Sequence, residues 1–242
     1  MGKNTYTPDI KTIETMDVEK MLLMVFVVDT SGSMSGNRIN AVNEAFEKMI
    51  PELKTVQEKA AGEYELRISI LQFDYSASWL VEPTPIRDYT HEPITANRWQ
   101  THFSAAFEEL YEKLSRKNFM EFEGKKAVPY IMFLTDGYPE GDDSFQESLD
   151  KLMKNGWFNC AQRFAVLIGE DAIESEEARD VVSQFVSNPA EGIINAEDAT
   201  AIVKEVQART VHTIANMTLH NPDVESDDQF EGDLEVDDDL VW

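Results

Sequence analysis

Asp29, Ser31 and Ser33 follow an apolar run, Met21 to Val28, and stand two residues apart. In extended backbone alternate side chains point the same way, so one carboxylate and two hydroxyls can converge on a point. Three hard oxygen groups of this kind suit magnesium (Mg²⁺) or another hard divalent cation. Two further segments carry matching donors. Thr101 opens a helical pattern, and Thr135-Asp136-Gly137 ends a second apolar run, Val128 to Leu134. Taken singly, each has a plain explanation as a helix cap or a polar turn. Taken together, two strands that finish in acids can meet where the carboxyl ends of a doubly wound sheet line one crevice.

The elements that must position these residues are legible as patterns. The unbroken valine-rich run predicts a strand over about 22–28, buried on both faces as in a parallel sheet. Ile39, Val42, Phe46, Met49, Ile50 and Leu53 recur at helical spacing and predict a helix over about 37–58, stopped by Ala60-Ala61-Gly62. Glu65 to Phe73 reads as a second strand, and Ser78 to Pro83 as an antiparallel edge strand. Residues 86–100 are irregular, and the next helix starts at Thr101 or His102. After the 128–134 strand the chain predicts a helix over 144–154 and a strand over 160–168. A helix over 175–186, a short strand near 192–194 and a last helix over 196–215 follow. Strands alternating with helices imply right-handed crossovers and a mostly parallel α/β sheet with helices on both faces. About six strands are expected, one of them an antiparallel edge.

Composition sets outer bounds. The 242 residues carry 42% hydrophobic residues and a formal charge of −25. That charge argues against unaided nucleic-acid or anionic-membrane binding, which need basic patches. No apolar stretch reaches the length of a membrane span, and residues 1–19 lack the apolar centre of a secretory signal. They read as a loose lead-in. Cys160 is the only cysteine, is expected inside a buried strand, and makes cytoplasmic residence the simplest expectation. From Asn221 to Trp242 there are ten acids and no base, with Phe230, Leu234 and Val236 interspersed. Residues 217–242 therefore read as a disordered acidic tail, with docking onto a basic partner surface as the sharper alternative.

Asp29-Thr30-Ser31-Gly32-Ser33-Met34, Thr101 and Asp136-Gly137-Tyr138-Pro139, in that order, resemble the metal-ion-dependent adhesion site of von Willebrand factor type A domains. The resemblance covers roughly residues 20–216 and implies a Rossmann-like doubly wound fold. Within the family, the Asp-Thr-Ser-Gly-Ser-Met-Ser-Gly segment looks most like bacterial intracellular, TerY-like tellurium-resistance members. The resemblance implies that Ser31 and Ser33 ligate the metal directly, Thr101 in the ligand-competent state, and Asp29 and Asp136 partly through water. It also implies a protein partner whose Asp or Glu completes the metal's coordination. Mn²⁺ or Ca²⁺ would accept the same oxygens as Mg²⁺. The chain departs from many members in having Gln100 before Thr101, where they have glycine; with Trp99 it can restrict access.

Three functions compete. The first is a non-enzymatic, metal-dependent interaction module. The second is an aspartyl-phosphate enzyme with Asp29 as nucleophile. Such enzymes usually have Asp-x-Asp where this chain has Asp-x-Ser, and Lys125 and Lys126 read better as solvated loop charges than as phosphate ligands. The third is a regulatory subunit of an ATPase or chelatase, docked through the tail. No Gly-x-x-x-x-Gly-Lys-Ser/Thr segment supports nucleotide hydrolysis by this chain. His102 is expected as a rim residue rather than a base, and the acidic loop from Tyr138 to Asp143 as solvated.

Overall fold

The computed structural model describes residues 20–60, 63–96, 100–197, 200–204 and 208–209. The lead-in, the acidic tail, Trp99 and most of the expected last helix lie outside them; within that helix residues 200–204 and 208–209 are helical.

The centre of the fold is β1 (Lys20–Asp29). It pairs in parallel with β2 (Tyr64–Phe73) along its whole length, and on its other side with β5 (Tyr130–Thr135). A strand flanked on both edges and covered on both faces has no surface for polar side chains, which explains its unbroken apolar run. Its alternation is still present as packing. Leu22, Met24, Phe26 and Val28 face one core, and Met21, Leu23, Val25 and Val27 face the other. Each of these buried side chains contributes about 2 kcal/mol of hydrophobic stabilisation.

The sheet order is β3-β2-β1-β5-β6-β7, with β4 also paired to β1. Here β3 (Ala77–Pro85) is the expected antiparallel edge, and β6 (Gln162–Ile168) and β7 (Ile193–Ala196) extend the parallel part. Among the described residues the sheet has seven strands rather than about six. The extra one, β4 (Lys125–Lys126), pairs with Lys20 and Met21, so these lysines belong to the sheet and not to a free loop.

α1 (Asn37–Lys59) covers one face with Ile39, Val42, Phe46, Met49, Ile50 and Leu53. It continues through Pro51. α2 (Phe103–Lys113) and α6 (Glu176–Phe185) cover the other face with Phe103, Ala106, Phe107, Leu110, Val182 and Phe185. α3 (Phe145–Leu152) lies within the expected 144–154 helix, and α5 (Glu170–Glu174) is an additional short helix before α6.

Cys160 is not in a strand. It is the last residue of α4 (Gly156–Cys160), and β6 begins two residues later. Trp157 and Phe158 are buried by this short helix, which makes the apolar run look continuous with β6. The Asn155 side chain caps it by accepting from the Phe158 N–H. Cys160 is half-buried, and burial pushes its thiol pKa up, the opposite of what a nucleophile needs.

The irregular segment 86–96 is tied to α1 by side chains. The Asn43 amide donates to the Ile94 carbonyl at 2.8 Å, while its oxygen accepts from the Ile94 N–H at 2.8 Å. That assignment fixes His91 Nε2 as a donor to Asn43, at 3.1 Å, leaving Nδ1 to accept from Tyr89. His91 also stacks on Phe46, with ring centroids 5.0 Å apart.

Candidate metal centre

The chain leaves β1 at Asp29 and turns at once. Thr30 binds the Phe73 carbonyl through both its N–H and its hydroxyl, which locks the ends of β1 and β2 together. Gly32–Met34 forms a single tight turn, and Gly36 starts α1 with φ +80, a conformation that favours glycine. This geometry brings the hydroxyl oxygens of buried Ser31 and exposed Ser33 to 3.1 Å apart. Ser33 then donates to Asp136 Oδ1 at 2.9 Å, across 103 residues of sequence. Asp29 is fully buried and accepts from the Ser31 N–H at 2.8 Å and from the Thr135 hydroxyl at 2.7 Å. Four of the five expected site residues thus share one hydrogen-bonded cluster at the carboxyl ends of β1 and β5.

Thr101 reaches the same crevice mouth through its backbone. Its carbonyl accepts from the Glu140 N–H at 2.9 Å, and the neighbouring His102 N–H donates to the Asp74 carbonyl at 2.8 Å. Thr101 is therefore strapped between the loop after β2 and the loop after Asp136, and it is buried. Among the described residues no hydrogen bond joins its hydroxyl to the Ser31–Ser33–Asp136 cluster. Gln100 beside it is exposed.

Three contributors escaped the sequence reading. Thr135 holds the inner carboxylate, although only its place beside Asp136 marks it. Arg38, in the first turn of α1, binds Asp136 Oδ2 through Nη1 and Asp171 through Nη2, and also donates to the Ser33 carbonyl at 3.1 Å. Asp143 serves α2: its carboxylate accepts from the Phe103 N–H at 2.7 Å and the Ser104 N–H at 3.3 Å. The helix start has no cap from its own N-cap residue, His102. An acid from the loop after β5 supplies it, which is also the charge a helix N-terminus favours. The loop is thus solvated only in part; Glu140 and Asp142 are exposed. His102 Nε2 lies 4.0 Å from Asp142, and its ring packs 4.7 Å from Tyr75.

Two buried carboxylates, Asp29 and Asp136, dominate the electrostatics, and Arg38 pairs with the second. Burial pushes the Asp29 carboxyl up to about 6, against the lowering effect of its hydrogen bonds to Ser31 and Thr135. Burial also raises Asp136, with Ser33 and Arg38 opposing. Phe73, Phe103 and Phe133 keep the floor apolar, with centroid separations of 4.8 to 5.7 Å. Among the described residues there is no group of three His, Cys, Asp or Glu that could hold a metal. The donors gathered here are instead two carboxylates and three hydroxyl-bearing residues. That oxygen-only set fits a hard divalent cation and not a soft one.

A family model for the von Willebrand factor type A domain matches residues 24–139, which carry all five expected site residues. No curated protein matches the chain in sequence. Solved structures share the fold. The pilus adhesin SpaC from Lactobacillus rhamnosus GG aligns with a TM-score of 0.60 at 14% identity, over 83% of this chain and 31% of that one. Proximal thread matrix protein 1 from the mussel byssus aligns at 0.56 and 13%, over 82% and 49%. The chain thus spans less than two thirds of either. The same mussel protein, in a structure with a zinc-occupied adhesion-site motif, gives 0.55 and 13%, over 82% and 48%. Among the described residues no helix is long and apolar enough to cross a membrane. The sheet order and the structural likenesses agree in fold with the von Willebrand factor type A domain whose family model matches residues 24–139.

Proposed function

We propose that this domain, spanning about residues 20–216, is a non-enzymatic interaction module that binds a protein partner through a divalent cation. The observation that carries this reading is the continuous cluster Asp29–Ser31–Ser33–Asp136 at adjacent parallel strand ends. Ser31, Ser33 and Thr101 would hold the ion, with Asp29 and Asp136 acting partly through water. A bound ion with mostly neutral direct ligands supplies an electron-poor position for a partner's Asp or Glu. The chain's own part is to fix the oxygens, keep the floor dry with Phe73, Phe103 and Phe133, and hold Thr101 at the mouth. Mg²⁺ is the favoured ion, because an octahedral shell that retains water matches so few carboxylates.

The aspartyl-phosphate alternative is disfavoured by the same geometry. Asp29 is fully buried, with both carboxylate oxygens already accepting hydrogen bonds, whereas an attacking carboxylate needs access to its substrate. The Asp-Thr-Ser-Gly-Ser-Met-Ser-Gly segment supports a place among bacterial, cytoplasmic TerY-like proteins of tellurite or stress responses. Service as a regulatory subunit of an ATPase, docked by the acidic tail, is compatible with this reading.

The test is affinity capture from native lysate in Mg²⁺, in EDTA, and with Asp29→Ala plus Ser31→Ala. A partner retained only by the intact protein in Mg²⁺ is the expected result. Indifference to both metal and mutation would sink the reading. Mg²⁺-dependent phosphatase turnover abolished by Asp29→Asn would replace it with the enzyme.

A further inference from the structure

We infer that Arg38 is a specificity-determining residue that tunes the site for Mg²⁺ against Ca²⁺ by occupying one oxygen of Asp136. This inference rests on the metal-binding reading above.

The two oxygens of Asp136 have different partners. Oδ1 accepts from the Ser33 hydroxyl and so faces the hydroxyl cluster. Oδ2 is held by Arg38 Nη1, and the Asp136 side chain is only 1% exposed. The guanidinium is fixed from several sides. Nη1 also donates to the Ser33 carbonyl, and Nη2 binds Asp171. Gly169 supplies the space. It sits at φ +98, and a Cβ there would come within 2.8 Å of Arg38 Nε. The fork geometry of arginine is what allows one side chain to serve two carboxylates and a carbonyl, which a lysine ammonium does with less directional control.

The consequence concerns coordination number. Ca²⁺ takes six to eight oxygens and commonly engages a carboxylate through both, whereas Mg²⁺ is satisfied by six ligands that include waters. With Oδ2 committed to Arg38, Asp136 can offer the site a single oxygen. The arginine also brings a positive charge beside the cluster, so the site does not gain cation affinity indiscriminately. Removing Arg38 frees the second oxygen and the negative charge, and Ca²⁺ gains more from both than Mg²⁺ does.

The experiment is titration of the full chain with Mg²⁺ and with Ca²⁺ by isothermal calorimetry, backed by the melting shift each ion produces. Wild type, Arg38→Ala and Asp171→Asn are compared. Outer-shell changes of this kind alter metal affinity by roughly tenfold or more, so the Mg²⁺-over-Ca²⁺ preference of Arg38→Ala should fall by about tenfold. Asp171→Asn loosens the guanidinium from an exposed position without touching Asp136, and should shift the preference the same way by less. It also keeps the test open if Arg38→Ala fails to fold. A wild type that binds both ions with a preference unchanged in either folded variant overturns the inference. A wild type that binds neither ion overturns instead the metal reading beneath it.

Discussion

Two buried charges sit at opposite ends of the parallel sheet, and they are treated differently. Arg163, the second residue of β6, is 6% exposed and makes no ion pair among the described residues. Its guanidinium donates to the Phe158 carbonyl at 2.6 Å, to Asn159 at 3.0 Å and to Phe185 at 2.8 Å, and lies over the Phe158 ring. These carbonyls end α4 and α6, where a positive charge is favoured. Asp29 likewise makes no ion pair, but it receives only two hydrogen bonds and its carboxyl is pushed up to about 6. The arginine's Nε and Nη1 are engaged by carbonyls of α4 and α6, so it fastens two helices to a strand. Among the described residues the aspartate has no positive partner, and burial rather than pairing sets its charge state.

The contrast can be broken most forcefully at Arg163. Arg163→Ala removes the guanidinium from three carbonyls, of which, among the described residues, only that of Phe158 keeps a second donor, the Ala161 N–H, and urea denaturation should show a loss of roughly 3 kcal/mol. A loss under about 1 kcal/mol would mean that this buried arginine does not hold the fold.

Asp29→Asn should act in the other direction. The asparagine oxygen can keep the Ser31 N–H, and its amide can donate to Thr135 in place of the bond reversed. The folded-state pKa of Asp29 is raised, so the native state holds its proton to higher pH than the unfolded chain does. Metal-free wild type should therefore lose stability through this group as pH rises from about 4 to about 6, by roughly 3 kcal/mol in total. At pH 4 the variant and wild type should match; above pH 7 the variant should be the more stable, while losing its melting response to divalent cations. A wild-type-minus-variant difference that is flat across this range would show that Asp29 carries no such burden.

The smallest effect sharpens the picture at the loop. Asp143→Ala removes the cap of α2 and should cost about 1 kcal/mol in thermal unfolding. Because Asp143 lies on the loop strapped to Thr101, the same variant should weaken cation binding modestly. No change in either would detach this loop from the site.

How much of this was legible depended on whether one segment carried its own signal. β1 was legible because burial on two faces leaves an apolar run, and α1 because its stripe repeats over many turns. The residues gathered by Ser31, Ser33 and Asp136 were found because their order is a motif. Cys160 was misplaced because Trp157 and Phe158 fill a helical turn with residues that also suit a strand; Asn155 was the available warning. Arg38 and Asp143 gave no local sign. An arginine in a first helical turn and an acid in a loop look like surface charge until the fold brings a partner from about 98 or 40 residues away. The pairing of Lys125 and Lys126 with β1 was hidden for the same reason, since two charged residues have no strand pattern.

The Asn43 carboxamide has a consequence beyond packing. By donating to the Ile94 carbonyl and accepting its N–H, it does for 86–96 what a neighbouring peptide group does for a strand. A protease must bind an extended, unpaired stretch of backbone before it can cut. In this irregular segment the stretch around Ile94 is already engaged, so nicking there should wait for α1 itself to open, and Asn43→Ala should bring it forward.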